Sequence, residues 1–301
     1  MIEGKTKVIE DYKDGLVKIT TKDVLTANDA MKRVEMLAIA IHKTEQTCNV
    51  FDILQIKNVS LAYQTRIHPR TFVAKKCDMI PLEVVVRRHA YGSYLKRNPN
   101  VEPCLRFEYL EPEYYHKLAF VNGEMISEDL ARERYMRTND EGENEWTAEV
   151  VTDPFILFNW KEWQEAGADY NSKEKLKMDI HHPKQPILEK IHQVDSVITP
   201  REIQQINEIA QNVFVLLENM WAKFNVTLAD MKMEFGKDQD GNILLADVID
   251  NDSWRIWPNG DPSKQLDKQS FRDGEVEDVV QTKYDTVTKY TGKFLGKIDE
   301  I

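Results

Sequence analysis

Leu228-Ala229-Asp230-Met231-Lys232-Met233-Glu234-Phe235 is followed by Gly236, the turn Lys237-Asp238-Gln239-Asp240-Gly241-Asn242, and Ile243-Leu244-Leu245-Ala246-Asp247-Val248-Ile249. Successive side chains of a strand point to opposite faces. Ala229, Met231, Met233 and Phe235 therefore share one face, and Asp230, Lys232 and Glu234 the other. With Asp-Gly in the turn, the two runs predict a β-hairpin. Its apolar face is core. Its polar face sets a cation between two carboxylates, and Asp247 puts another carboxylate into an apolar run. Burying a lone carboxylate is costly, so Asp247 calls for a metal, a lysine or a hydrogen-bond donor. Glu234 and Asp247, on opposite sides of the hairpin, would converge on one Mg²⁺, which takes few protein carboxylates and completes its shell with phosphate oxygens and water. A sheet of lysine–carboxylate ion pairs uses the same residues and remains the alternative.

Upstream, Thr199-Pro200-Arg201-Glu202 is a capping box with Pro at the first helical position. Ile203, Ile206, Ala210, Val213, Leu217, Met220, Trp221 and Phe224 recur on one face, predicting a helix of roughly 24 residues. Downstream, Val276, Val279, Val280, Tyr284, Val287 and Phe294 predict another helix. Nearer the start, strands are expected at 5–10 and 16–20, around Lys13-Asp14-Gly15, and at 71–75 and 82–88, split by the link Cys77-Asp78-Met79-Ile80-Pro81. The spacing of Met31, Val34, Leu37, Ala38 and Ile41 predicts a helix over 28–47. Residues 105–200 are charged and aromatic with weak periodicity, and read as insertion-like surface structure.

A chain of 301 residues suggests two lobes at about 100–200 residues each. No apolar run reaches the roughly 18 residues of a membrane helix, and Met1-Ile2-Glu3-Gly4-Lys5 does not open a signal peptide. Cys48, Cys77 and Cys104 form neither a disulfide framework nor a zinc site, and suit a reducing cytoplasm. A formal charge of -11 argues against nucleic acid as partner, and any anionic substrate must meet locally gathered basic residues.

Such gatherings exist. Asp250-Asn251-Asp252-Ser253-Trp254-Arg255 and Leu266-Asp267-Lys268-Gln269-Ser270-Phe271-Arg272 would offer arginine forks to an anion, or simply be solvated loops. In 82–88, Glu83, Val85 and Arg87 share a face, and Gly92-Ser93 follows, a turn whose backbone and hydroxyl can approach an anion. Lys5 and Lys7 point the same way from the first strand. Gly4-Lys5-Thr6 is no Walker A motif, whose first Gly would precede Met1, and no G-x-G-x-x-G occurs. Lys75 and the link with Met79 would suit an adenine, or be surface. His181-His182 lacks ligand spacing and reads as surface.

In order, Gly4-Lys5-Thr6-Lys7, the run from Lys75 to Arg87, Gly92-Ser93, Asp230 to Gly236, Leu245 to Trp257 and Asp267 to Arg272 resemble the family of phosphoribosylaminoimidazole-succinocarboxamide (SAICAR) synthetases. Residues 246–257 most resemble the animal-type synthetase domain. The resemblance implies an α+β, two-lobe, ATP-grasp-related fold of antiparallel sheets flanked by helices. Its N-terminal ATP-binding lobe would span 1–80, and its C-terminal lobe for substrates and metal 81–301, with ATP between them and the insertion-like segment at 105–200. It implies ATP-driven joining of L-aspartate to the carboxylate of carboxyaminoimidazole ribonucleotide (CAIR), with ATP and Mg²⁺ required. By resemblance, Lys5, Lys7, Lys75, Met79, Glu234 and Asp247 bind ATP. Glu234 and Asp247 hold its Mg²⁺, and Glu83 touches a second one. Arg87, Ser93 and Arg255 take the ribonucleotide phosphate, and Lys232 and Arg272 act on substrate or the phosphoryl in transit. Asp29 and Asp153 are further substrate contacts. It also implies a homo-oligomer, with no membrane or nucleic-acid partner. Thr26-Ala27-Asn28-Asp29-Ala30 lacks the family's expected Gly and Tyr91 replaces a smaller residue, and the animal bifunctional arrangement with a carboxylase domain is not expected. A kinase-like phosphotransferase on the same scaffold, or a nucleotide-binding protein without turnover, are the rival readings.

Overall fold

Antiparallel pairing dominates the computed structural model, which describes residues 1–27, 32–142, 144–165, 175–188, 190–268, 271 and 275–301. The chain divides into one unit of residues 1–79 with 208–301 and another of residues 80–207.

The first unit holds a five-stranded sheet in the order Ile2–Glu3, Lys7–Lys13, Leu16–Thr21, Thr71–Lys75, Tyr63–His68. It also holds the predicted hairpin, Val226–Lys237 with Ile243–Ala246, and Trp254–Pro258 pairs the earlier part of the longer strand. Ala62 N donates to Leu245 O at 2.9 Å, and Leu245 N to Ser60 O at 2.9 Å, so the hairpin is stitched to the N-terminal segment. Helix Ile39–Ile56 lies against helix Glu277–Thr291: Gln46 Nε2 donates to the Tyr284 carbonyl at 3.0 Å and Asn49 Nδ2 to Thr291 Oγ1 at 3.2 Å.

The long helix runs Pro200–Ala222. Its capping box is closed from both sides, Thr199 N donating to Glu202 Oε2 at 2.8 Å and Glu202 N to Thr199 Oγ1 at 3.3 Å. Ile203, Ile206, Ala210, Val213, Leu217, Met220 and Trp221 are all buried. Trp221 meets Trp254 and Phe294 edge-on at centroid distances of 5.2 and 5.0 Å, the geometry aromatic quadrupoles favour.

Three expected element boundaries are corrected. Residues 28–31 lie outside the described residues, but Lys32–Glu35 is a strand paired with Val24–Ala27, and the helix starts only at Ile39, after Ala38 at a φ of 65°. Val34 packs on the Leu25, Met36, Ile39 and Tyr284 cluster while Leu37 is exposed, so the spacing marked a strand and a turn. That helix buries Lys43, Thr44, Gln46 and Thr47 with its apolar residues, which erases an amphipathic stripe. Second, the hairpin's return strand stops at Ala246, because Asp247 turns left-handed at a φ of 56°. Third, the link at 77–81 shrinks to Lys76 and Cys77, since Asp78–His89 is one strand through Pro81.

The second unit is built on a sheet ordered His192–Asp195, Lys177–His181, Phe155–Phe158, Arg106–His116, Asp78–His89. Leu118–Val121 pairs with Glu124–Ser127 and with Val150–Val151 in a separate small sheet. The segment read as surface insertion therefore supplies core: Tyr115, Ala119, Val121, Phe155, Ile156, Met178 and Ile180 are buried. Short strands carrying Lys, His and Asp on their outer face hid this signal. No helix among the described residues is long and apolar enough to cross a membrane.

Candidate active site

The hairpin register sets Glu234 opposite Ala246, so Asp247 follows directly on the residue facing Glu234. Lys7 Nζ donates to Asp247 Oδ1 at 2.6 Å, and Lys232 Nζ to Glu234 Oε1 at 3.4 Å. The lysine–carboxylate pairing weighed for this sheet is thus present. Among the described residues no three His, Cys, Asp or Glu gather as a metal cage. The donor set instead suits Mg²⁺ in its nucleotide mode, where one or two carboxylates are completed by phosphate oxygens and water.

Asp230 is buried and fixes its neighbour across the sheet: Arg255 Nη1 donates to Asp230 Oδ2 at 2.6 Å. The register shifts between Leu228 and Asp230, the bulge that brings Arg255 opposite the carboxylate. Lys232 N donates to Ser253 O at 2.6 Å, anchoring the strand to the loop before Arg255. Lys75 Nζ reaches Asp238 at 3.4 Å in the hairpin turn. Asp238 Oδ1 accepts from the backbone N of Asn242 and Asp240, and these bonds, Asn242 first, hold its carboxyl below the usual range. Lys5 lies in an exposed bend beside Gly4, whose N donates to Lys7 O at 2.9 Å. Met79 is 47% exposed. Its segment runs so close to Gly236 that a Cβ there would sit 2.7 Å from Cys77 Cβ and 3.2 Å from Met79 Sδ. Glycine at 236 is what lets residues 77–79 lie against the Glu234 strand.

Sequence reasoning missed a buried network in this unit. Asp252 Oδ2 accepts from Lys43 Nζ at 2.7 Å and Lys268 Nζ at 2.9 Å, and Oδ1 from the Tyr284 hydroxyl at 2.6 Å. Burial opposes charge on Asp252, but Lys268 and Lys43 outweigh it and hold the carboxyl well below its usual range. Burial likewise opposes charge on Lys43, yet Asp252 and Asp250 keep its ammonium above the ordinary value. Asp250 moves the other way, raised by burial. The available signal was Lys43 at helical spacing from Ile39 and Thr47, a cation on a core-facing stripe.

In the second unit Glu83, Val85 and Arg87 share a face and stand opposite Tyr115, Glu113 and Glu111. Arg87 is buried at 2% exposure, with Nε donating to Glu113 Oε2 at 2.6 Å and Nη2 to Ser93 Oγ at 3.1 Å. Ser93 opens the short helix Ser93–Arg97 after Gly92, whose φ is 60°. Asp153 is half-buried, left-handed at a φ of 44° before Pro154. His181 is buried rather than on the surface, its ring 6.4 Å from that of Phe155. Asp29 and Arg272 lie outside the described residues.

The SAICAR synthetase family profile matches residues 1–149 and 161–289. The chain belongs to the SAICAR synthetase family. A phosphoribosylaminoimidazole-succinocarboxamide synthase of Chloroflexus aggregans is 33% identical over 97% of this chain and 95% of its own. A probable multifunctional protein of Caenorhabditis elegans is 35% identical over 91% of the chain, which spans 52% of that relative's length. Among solved structures, a SAICAR synthetase in complex with ADP superposes with a TM-score of 0.68 at 25% identity, over 96% of both chains. The mixed fold of antiparallel sheets and helices is that of SAICAR synthetases.

Proposed function

We propose that this SAICAR synthetase-family chain is an ATP-dependent ligase that joins L-aspartate to the carboxylate of CAIR, releasing SAICAR, ADP and phosphate. A carboxylate is a poor electrophile towards an amine. Transfer of the γ-phosphoryl to it makes an acyl phosphate; the aspartate amine attacks that carbon, the C–O bond to phosphate breaks, and the amine loses a proton. Phosphoryl transfer asks a protein chiefly for positioning and charge neutralisation. The observation that carries this reading is Glu234 on the hairpin and Asp247 directly after its return strand, each carboxylate with its own lysine.

Glu234 and Asp247 are the ligands for a Mg²⁺ that neutralises ATP phosphates, and Glu83 a ligand for a second ion. Lys5 and Lys7 meet the phosphates, and Lys75 and Met79 the nucleoside. Lys232 and Arg272 act on substrate or the phosphoryl in transit. Arg87 and Ser93 take the ribonucleotide phosphate, Arg255 is a further contact to that substrate, and Asp29 and Asp153 are additional substrate contacts. The test mixes enzyme, Mg²⁺, ATP and CAIR with and without L-aspartate and follows ADP and amide product together. Both should require aspartate. Steady turnover to a phosphorylated product without aspartate would replace this reading with the phosphotransferase one.

A further inference from the structure

Glu113 stands behind Arg87 and Ser93, in strand Arg106–His116, and is buried at 6% exposure. Its oxygens are divided. Oε2 accepts from Arg87 Nε at 2.6 Å and from the Tyr115 hydroxyl at 2.9 Å, while Oε1 accepts from Arg97 Nη2. Arg97 is itself fixed, donating to Pro183 O at 2.8 Å and lying 4.2 Å over the Phe155 ring. With its Nε edge committed to Glu113, Arg87 turns Nη2 to Ser93 Oγ, and Tyr115 Oη lies 3.1 Å from the same Oγ. Adjacent strands bring these groups together: Glu113 opposes Val85, so Arg87 is its diagonal neighbour on one face.

We propose that Glu113 and Tyr115 are positioning residues for phosphate recognition, holding the Arg87 fork and the Ser93 hydroxyl ready for a phosphate monoester. This rests on the reading of Arg87 and Ser93 as the ribonucleotide phosphate ligands. Two guanidiniums on one carboxylate leave a net positive charge, which suits a dianion. A bidentate fork binds phosphate well only when its plane is already set, because ordering it on binding costs affinity. The charge argument alone gives the opposite expectation from the positioning argument. If Glu113 merely neutralised the arginines, removing its charge would strengthen anion binding. If it positions them, removal weakens binding.

The experiment uses the full-length protein. Affinities for CAIR and for its dephosphorylated ribonucleoside are measured by calorimetry, with kcat and the KM for ATP alongside and thermal melts as the folding control. Tyr115→Phe removes only a hydroxyl and should weaken CAIR binding about fivefold, the weight of one hydrogen bond. Glu113→Gln should weaken it more. Neither should move ribonucleoside binding or the KM for ATP. Tighter CAIR binding in Glu113→Gln, unchanged CAIR binding in Tyr115→Phe, or equal losses for nucleotide and nucleoside would each overturn the proposal. Where Glu113→Gln does not fold, Tyr115→Phe decides. Arg87→Lys and Ser93→Ala run in parallel. If they leave CAIR affinity unchanged, the phosphate reading falls and this inference with it. If they weaken it while Tyr115→Phe and Glu113→Gln do not, only the inference is overturned.

Discussion

Asp247 occupies a left-handed backbone position, φ 56°, that Asp and Asn tolerate better than other residues with a side chain. Asp247→Asn therefore keeps the turn and removes only the charge. Its partner Lys7 is also partly exposed, so the stability change should stay within about 1 kcal/mol. Turnover should fall at least about 100-fold, the scale for losing one charge-stabilising group, and the Mg²⁺ dependence should move to higher concentration. Full activity at unchanged Mg²⁺ demand would remove the metal assignment. Gly236→Ala is the steric counterpart: its Cβ, 2.7 Å from Cys77 Cβ, forces residues 77–79 outward. The expected cost is about 1–3 kcal/mol, read as a lower Tm, with a raised KM for ATP because Met79 moves. Glu234 and Asp247 could be singled out as candidates because carboxylates in apolar runs are anomalies. Glu113 and Lys43 could not, since their meaning lies in partners 26 and 209 residues away, Arg87 and Asp252.

Among elements, legibility followed how fully local and tertiary forces agreed. Helix Pro200–Ala222 has a capping box, one apolar stripe and a buried face, all pointing the same way. Thr199→Ala should cost about 1 kcal/mol, seen as a lowered denaturant midpoint with an unchanged slope. Helix Ile39–Ile56 buries polar residues on its core side, so periodicity misplaced its start. Strand Arg106–His116 hides its core role behind charges, and ends in a titrating group. Burial pushes His116 from 6.5 down to about 4, and its Nδ1 accepts from Leu118 N at 3.2 Å, a bond that requires the lone pair. The folded state therefore disfavours the proton that the unfolded chain takes up. Stability from this group is complete above about pH 6.5 and is lost as pH falls towards 4, by roughly 3 kcal/mol. Unfolding free energies across that window should slope steeply in the parent and less in His116→Gln. Equal slopes would show that another group carries the acid sensitivity.

Across the whole molecule, a chain of net charge -11 places its basic residues beside carboxylates wherever anion chemistry is proposed: Lys7 with Asp247, Lys232 with Glu234, Arg255 with Asp230, Arg87 with Glu113. Each carboxylate orients a cation before any anion arrives. Most of these pairs lie in the unit that chain order splits between residues 1–79 and 208–301. The sheet and helix of the early segment lean on the late one. Leu245 bonds Ser60 and Ala62 through the backbone, and helix Ile39–Ile56 is closed over by Tyr284, Thr288 and Thr291. Val280, Tyr284, Val287 and Phe294 are fully buried there. Burial of each large apolar side chain is worth about 1.5–3 kcal/mol, so their loss exceeds what a small fragment can spare. Residues 1–79 expressed alone should therefore lack a cooperative thermal transition and show collapsed amide dispersion by NMR. Adding residues 208–301 on a linker should restore both. A fragment 1–79 that melts cooperatively by itself would mean that its own sheet, without the Tyr284 helix, is sufficient for folding.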